Sequence, residues 1–174
     1  IQLVKNVSPS VASITITKDL SKIYDRTGPR IFSFDNFFDL GFPTPQFEQG
    51  EKGLKGKERI GGGSAFIISS DGLLLTNKHV VSDDEAEYTV VLSDGKEFPA
   101  KVLAKDAVND LAIVKIQANN LSPLRLGDSS GIQIGQTVIA IGNTLGEYAN
   151  TVTRGVISGI NRVVAASDAS GATE

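Results

Sequence analysis

Asp94-Gly95 separates two short strand-like runs, Tyr88 to Leu92 and Glu97 to Leu103. An Asp-Gly pair flanked by such runs is a strong hairpin signal, because glycine enters the left-handed backbone region without a Cβ clash. The same punctuation recurs along the chain. Residues 11–17 read Val-Ala-Ser-Ile-Thr-Ile-Thr, which has the period of two expected of a strand. Gly63 to Ser69 forms another run, Asp71-Gly72 a turn, and Leu73 to Thr76 the next strand. Leu111 to Ile116, Val138 to Ile141 and Thr151 to Ile160 follow, with Gly142-Asn143 and Gly146 between the last two. Ile1 to Val7 suits the last turns of a helix that Ser8-Pro9-Ser10 would end. Many short strands, frequent turns and 18 glycines predict an all-β barrel or sandwich. A length of 174 residues fits one domain or two small lobes.

Charge and composition exclude several functions. The formal net charge is −3 and the basic residues are scattered, so nucleic acid is not an expected partner. No window approaches the ~20 apolar residues of a membrane-spanning helix. Cysteine is absent, which rules out a disulfide framework but does not report the compartment. A single histidine removes multi-histidine metal sites. The acidic cluster Asp83, Asp84, Glu85 and Glu87 lacks the ligand offsets of a calcium loop and reads as a solvated loop. Gly61-Gly62-Gly63-Ser64 has no following Gly-Lys-Ser/Thr, so it reads as a close strand entry rather than a phosphate cradle. No cofactor and no metal are expected.

Residues 19–59 break the strand pattern. They hold Pro29, Pro43 and Pro45, and six of the eight phenylalanines: Phe32, Phe34, Phe37, Phe38, Phe42 and Phe47. A charged run from Glu51 to Arg59 closes the stretch. Loops this long inside compact domains are usually functional or disordered. So many aromatics argue against simple disorder and favour contact with another subunit or with substrate.

His79, the sole histidine, follows the apolar run Gly72 to Thr76 within Thr76-Asn77-Lys78-His79-Val80-Val81. A strand end is where a scaffold presents functional side chains, and an imidazole can act as a general base near neutral pH. Asp110 lies 31 residues later, just before Leu111 to Ile116. As a buried carboxylate accepting Nδ1–H of His79, it would fix the tautomer and stabilise the imidazolium. Each residue also has a bland reading, a structural histidine and a turn carboxylate. Gly127-Asp128-Ser129-Ser130-Gly131 matches Gly-x-Ser-x-Gly. It lacks the strand–turn–helix context of a nucleophile elbow, and the histidine precedes it, so it reads as a turn joining two lobes.

Taken in order, several blocks resemble the HtrA/Deg serine proteases. They are Gly63-Ser64-Ala65-Phe66-Ile67-Ile68, residues 71–81, Asn109-Asp110-Leu111-Ala112-Ile113-Val114-Lys115-Ile116, Leu126-Gly127-Asp128-Ser129, Ile139-Ala140-Ile141-Gly142-Asn143 and residues 151–158. The resemblance runs from about residue 1 to residue 164. It departs at Gly142-Asn143-Thr144-Leu145-Gly146, where the family usually has Gly-Asn-Pro-Phe-Gly, and at Ala65, where glycine is usual. It implies a trypsin-like double β-barrel with His79 as general base and Asp110 as its orienting carboxylate. It further implies an ATP-independent endopeptidase of the bacterial periplasm or envelope, acting on unfolded polypeptides as a homotrimer or a multiple of trimers. The stretch 19–59 resembles the family's regulatory loop.

The family's Gly-Asn-Ser-Gly-Gly nucleophile segment is not found in the chain. The expectation is therefore an amino-terminal part of such a protease: a helix end and strand over 1–18, the loop over 19–59, a complete first barrel over 60–126, and a linker with the opening strands of a second, truncated barrel over 127–174. Ile1 is not expected to be a translation start. Residues 1–174 alone are expected to be inactive, and unstable or prone to associate through unpaired strand edges. The rivals are a non-catalytic peptide-binding or chaperone module on a protease-like fold, and a structural subunit assembled through the aromatic loop.

Overall fold

The computed structural model describes residues 1–19, 57–144 and 148–160. Helix α1 spans Gln2–Val7 and runs into a 3-10 turn at Ser8–Ser10. Strands follow as β1 (Val11–Asp19), β2 (Lys57–Ile67) and β3 (Leu73–Asn77). A second 3-10 turn occupies Lys78–Val81. Then come β4 (Glu87–Val91), β5 (Glu97–Asp106), β6 (Leu111–Lys115), β7 (Thr137–Thr144) and β8 (Tyr148–Val156).

The first six strands close into an antiparallel barrel in the order β1-β2-β3-β6-β5-β4, with β4 returning to β1. Closure leaves none of these strands as an open edge. The period of two decides what fills the interior. Ile14, Ile67, Leu74, Val90, Val114 and Ile116 are fully buried, and Val81 joins them from the second 3-10 turn. Their neighbours Ser13, Thr15, Leu73 and Ile113 are not. Among the described residues, every buried hydrophobic side chain lies between Val11 and Ile116.

The turn residues behave as their chemistry requires. Gly72 has φ +99°, and a Cβ there would lie 2.4 Å from the Ile116 carbonyl oxygen, so only glycine fits. In the β4–β5 hairpin the Leu92 amide bonds the Lys96 carbonyl at 2.9 Å and the Gly95 amide bonds the Leu92 carbonyl at 2.9 Å. Gly95 takes φ +82° at the end of this three-residue loop.

Strand bounds differ from the sequence reading in specific places. Lys57, Glu58 and Arg59 belong to β2, paired with Asp19, Lys18 and Thr17, so strand pairing extends into both ends of the stretch read as loop. β1 is itself a stave of the barrel rather than an element before it. Gly142 and Asn143 lie inside β7, with a register irregularity between Gly142 and Thr144. Strand β8 stops at Val156 rather than Ile160. At Lys57 to Arg59 and at Gly142-Asn143, cross-strand pairing overrides local turn propensity. The six phenylalanines from Phe32 to Phe47 lie outside the described residues.

β7 and β8 form a two-stranded sheet beside the barrel. It meets β2 closely: a Cβ on Gly142 would lie 2.9 Å from Oγ of Ser64. Val138, Ile139, Val152 and Val156 remain 37–60% exposed on it. The result is an all-β fold with one closed barrel and a partial second sheet.

Leu74→Ala should lower the unfolding free energy by about 2–5 kcal/mol, because it opens a cavity at a fully buried position. Urea unfolding followed by tryptophan-free probes such as far-UV circular dichroism measures the loss. A change below about 1 kcal/mol would mean that the barrel interior is not close-packed there.

Candidate active site

Strands β3 and β6 are neighbours, and their ladder ends with Asn77 opposite Leu111. β3 leaves the ladder into the 3-10 turn that carries His79, while the turn ending at Asp110 leads into β6. Adjacent antiparallel strands therefore deliver both residues to the same rim of the barrel. His79 Nδ1 lies 2.7 Å from Asp110 Oδ2. The His79 backbone amide donates to Asp110 Oδ1 at 3.0 Å, and the Lys78 amide to the Asp110 carbonyl oxygen at 3.0 Å.

Each partner is held from behind. Asp110 takes φ +51°, a left-handed conformation that aspartate tolerates better than most residues. The preceding turn is organised by Asp106, whose carboxylate accepts the amides of Val108 and Asn109 at 2.8 and 3.1 Å and the Asn109 side-chain amide at 2.7 Å. On the other side, Val80 and Val81 are buried and anchor the turn of His79. Gly63 makes room for it: a Cβ there would lie 2.6 Å from Cγ1 of Val80. Buried Thr76 donates its hydroxyl to the Ser64 carbonyl at 2.8 Å, fixing β3 on β2 one turn before the histidine.

The carboxylate is not buried as the sequence reading supposed. His79 and Asp110 side chains are each 44% exposed, because the rim covers them on one side only. Partial burial pushes the Asp110 carboxyl up. The His79 amide and imidazole and the Asn77 amide outweigh it and hold the group below the usual carboxylate range. An ionised carboxylate only accepts, so Nδ1 of His79 carries the proton. In the neutral ring Nε2 is then the accepting nitrogen, turned away from Asp110.

Ser129 sits in an exposed turn. Asp128 Oδ1 accepts the Ser130 amide at 2.9 Å, and the Ser129 carbonyl accepts the Ile132 amide at 3.4 Å. The acidic cluster is tied to the barrel by lysines: Lys18 to Asp83 at 2.7 Å and to Glu85 at 3.3 Å, Lys105 to Asp84 at 2.7 Å, and Lys57 to Glu87. The supporting roles of Asn77 and Asp106 are not evident from the sequence motifs alone. An aspartate three residues before an asparagine, at a strand end, is the signature of a side-chain-capped turn and could have marked the second. A cleft of about 460 Å³ opens beside Asn77, lined by Val11, Ser64, Leu75, Leu111 and Ile139 among others.

Gly63→Ala should displace Val80 and destabilise the barrel by about 1–3 kcal/mol. The His79 amide and ring resonances should move with it in an NMR comparison. Unchanged His79 signals would show that the turn does not depend on this close approach. Acid sensitivity follows from Asp110. Its carboxyl titrates lower in the folded than in the unfolded chain, so its stabilisation is fully present above the unfolded pKa of ~3.9 and is lost as pH falls through the lower folded value. Unfolding curves between pH 6 and pH 2 should show a steeper loss for the parent chain than for Asp110→Asn. Parallel curves would contradict the assignment.

The trypsin-like peptidase domain family matches residues 63–173. A protein of Pseudomonas fluorescens named "Probable periplasmic serine endoprotease DegP-like" is 36% identical over 168 residues, 92% of this chain and 34% of its own length. A protein of the same name from Brucella suis is 36% identical over 187 residues, 94% of this chain and 36% of its own. The chain thus spans about a third of the length of these curated relatives. Among solved structures, an HtrA-type protease, AlgW, with a decapeptide superposes with a TM-score of 0.66 at 35% identity, over 93% of this chain and 45% of that one. With the closed barrel, the partial second sheet and the paired His79 and Asp110, these likenesses place the chain in the HtrA/Deg family of trypsin-like serine proteases.

Proposed function

We propose that residues 1–174 supply the base and its orienting carboxylate to an HtrA-like serine endopeptidase. The observation that carries this reading is the 2.7 Å contact between His79 Nδ1 and Asp110 Oδ2, with the second carboxylate oxygen held by the His79 amide. In the reaction a serine hydroxyl attacks the scissile carbonyl and Nε2 of His79 takes its proton. The imidazolium later gives that proton to the leaving amine, while Asp110 stabilises the charge and keeps the ring oriented.

The attacking serine is assigned to sequence outside these residues. Ser129 is a turn residue 19 positions after Asp110 and before β7, in a turn whose hydrogen bonds are local. The names and threefold greater lengths of the relatives support the same view. The substrates are unfolded polypeptides in the periplasm, and the working assembly is a homotrimer or a multiple of it. Residues 1–19, with 57–126, serve as the first barrel with its entry strand, and 127–174 contribute to a second. The stretch from 20 to 56 acts as a regulatory loop.

Casein hydrolysis by residues 1–174 and by a longer protein containing them tests the proposal. The shorter chain should be inactive and the longer one active. In the longer protein, His79→Ala should lower kcat by about 10⁶ and Asp110→Asn by about 10⁴. Activity in residues 1–174 that disappears with Ser129→Ala would place the nucleophile at Ser129 and overturn the assignment. A longer protein that binds unfolded chains but has no serine reactive toward a fluorophosphonate would be a binding module instead.

A further inference from the structure

Asn77 occupies the last rung of β3, opposite Leu111 and beside Asp110. Its Nδ2 lies 3.2 Å from the Asp110 carbonyl oxygen and 3.2 Å from Asp110 Oδ2. Oδ2 is the oxygen that also faces His79 Nδ1. One amide group therefore holds both the main chain and the side chain of Asp110. The carboxylate turns about its own side-chain bonds, so its direction depends on the groups that hold its oxygens. The other contacts to the carboxylate, from the His79 amide and imidazole, come from a single residue in a 3-10 turn. The Asn77 contacts come from a strand of the closed barrel.

We propose that Asn77 is a positioning residue that locks the Asp110 carboxylate to the barrel, so that Oδ2 stays aligned with Nδ1 of His79. The proposal rests on the reading of His79 and Asp110 as base and orienter. The residue type fits the task. A neutral amide donates to an ionised carboxylate, and such charge-assisted bonds are the stronger ones. Aspartate at position 77 would repel Asp110, and a hydrocarbon of the same size would leave Oδ2 with one side-chain donor instead of two. Asn77 does not reach a reacting atom. It acts through Asp110, and its effect appears in the tautomer of the imidazole.

His79 is the only histidine, so its ring nitrogens are assigned in ¹⁵N spectra without ambiguity. At a pH where the ring is neutral, residues 1–174 should show predominantly the Nδ1–H form. Asn77→Leu, which is close in volume but donates nothing, should raise the Nε2–H population several-fold. Asn77→Gln, which keeps a donor, should restore part of the Nδ1–H form. Asn77→Ala gives the same readout as the leucine variant should that variant not fold. A role confined to stability would lower the unfolding midpoint and leave the tautomer ratio unchanged, and that result in a folded Leu or Ala variant overturns the proposal. Asp110→Asn separates the role of Asn77 from the pairing of His79 with Asp110. If the parent chain itself lacks the Nδ1–H preference, and Asp110→Asn changes nothing, the pairing of His79 with Asp110 fails rather than the role of Asn77.

Discussion

In the ladder between β3 and β6, Leu74 faces Val114, Thr76 faces Ala112 and Asn77 faces Leu111. Everything about the candidate site depends on that register. A slip of one residue would turn Leu74 and Val114 out of the core and carry His79 and Asp110 to mismatched heights. Burial of Leu74 and Val114 at 0% exposure makes the slip costly, so the hydrophobic interior fixes the position of a polar pair that contributes nothing to it. The left-handed turn at Asp110 then points a carbonyl and a carboxylate back at the same three residues, Asn77, Lys78 and His79.

Charge is distributed around the barrel in short pairs. Lys115 holds Asp71, bringing its carboxyl down to about 2 with help from the Ser69 hydroxyl, and fixes the Gly72 turn at the opposite end of β3 from His79. Lys18 reaches Asp83 from the end of β1, where the chain enters residues 20–56. Tyr88, pushed up to about 12 mainly by burial, stays neutral and donates to the Asp83 carbonyl. The loop after His79 is therefore tied to the strand that leads into the aromatic stretch. These pairs are partly or largely exposed, so each adds little to stability but defines where the loop sits.

The barrel and the second sheet differ in what holds them. The barrel has a continuous interior, whereas no described residue of β7 or β8 is among the buried hydrophobics. A two-stranded hairpin is marginal by itself. Its apolar residues, Val138, Ile139, Val152 and Val156, stay substantially in contact with water, and the sheet touches the barrel through small groups such as Gly142 against Ser64.

Strand identity was legible in the sequence because alternation and Asp-Gly turns are local signals. The hairpin at Gly95, the turn at Gly72 and the strands through Leu74, Val90 and Val114 follow from neighbours a few residues apart. His79 and Asp110 were also nameable, since a lone histidine at a strand end and an aspartate before the next strand are rare enough to mark. What local pattern does not contain is pairing. Closure of the barrel by β1 and the extension of β2 through Lys57 depend on pairing with residues far away in sequence, and the passage of β7 through Gly142-Asn143 depends on its pairing with β8 across the following turn. The same holds for the site's supports. Asn77 gains its partner from residue 110, and Gly63 matters only because Val80 packs onto it. The sequence by itself determined which residues could act as base and carboxylate. The tertiary structure decided that they meet at 2.7 Å, half exposed at the barrel rim, because only the β3–β6 ladder sets the distance between them.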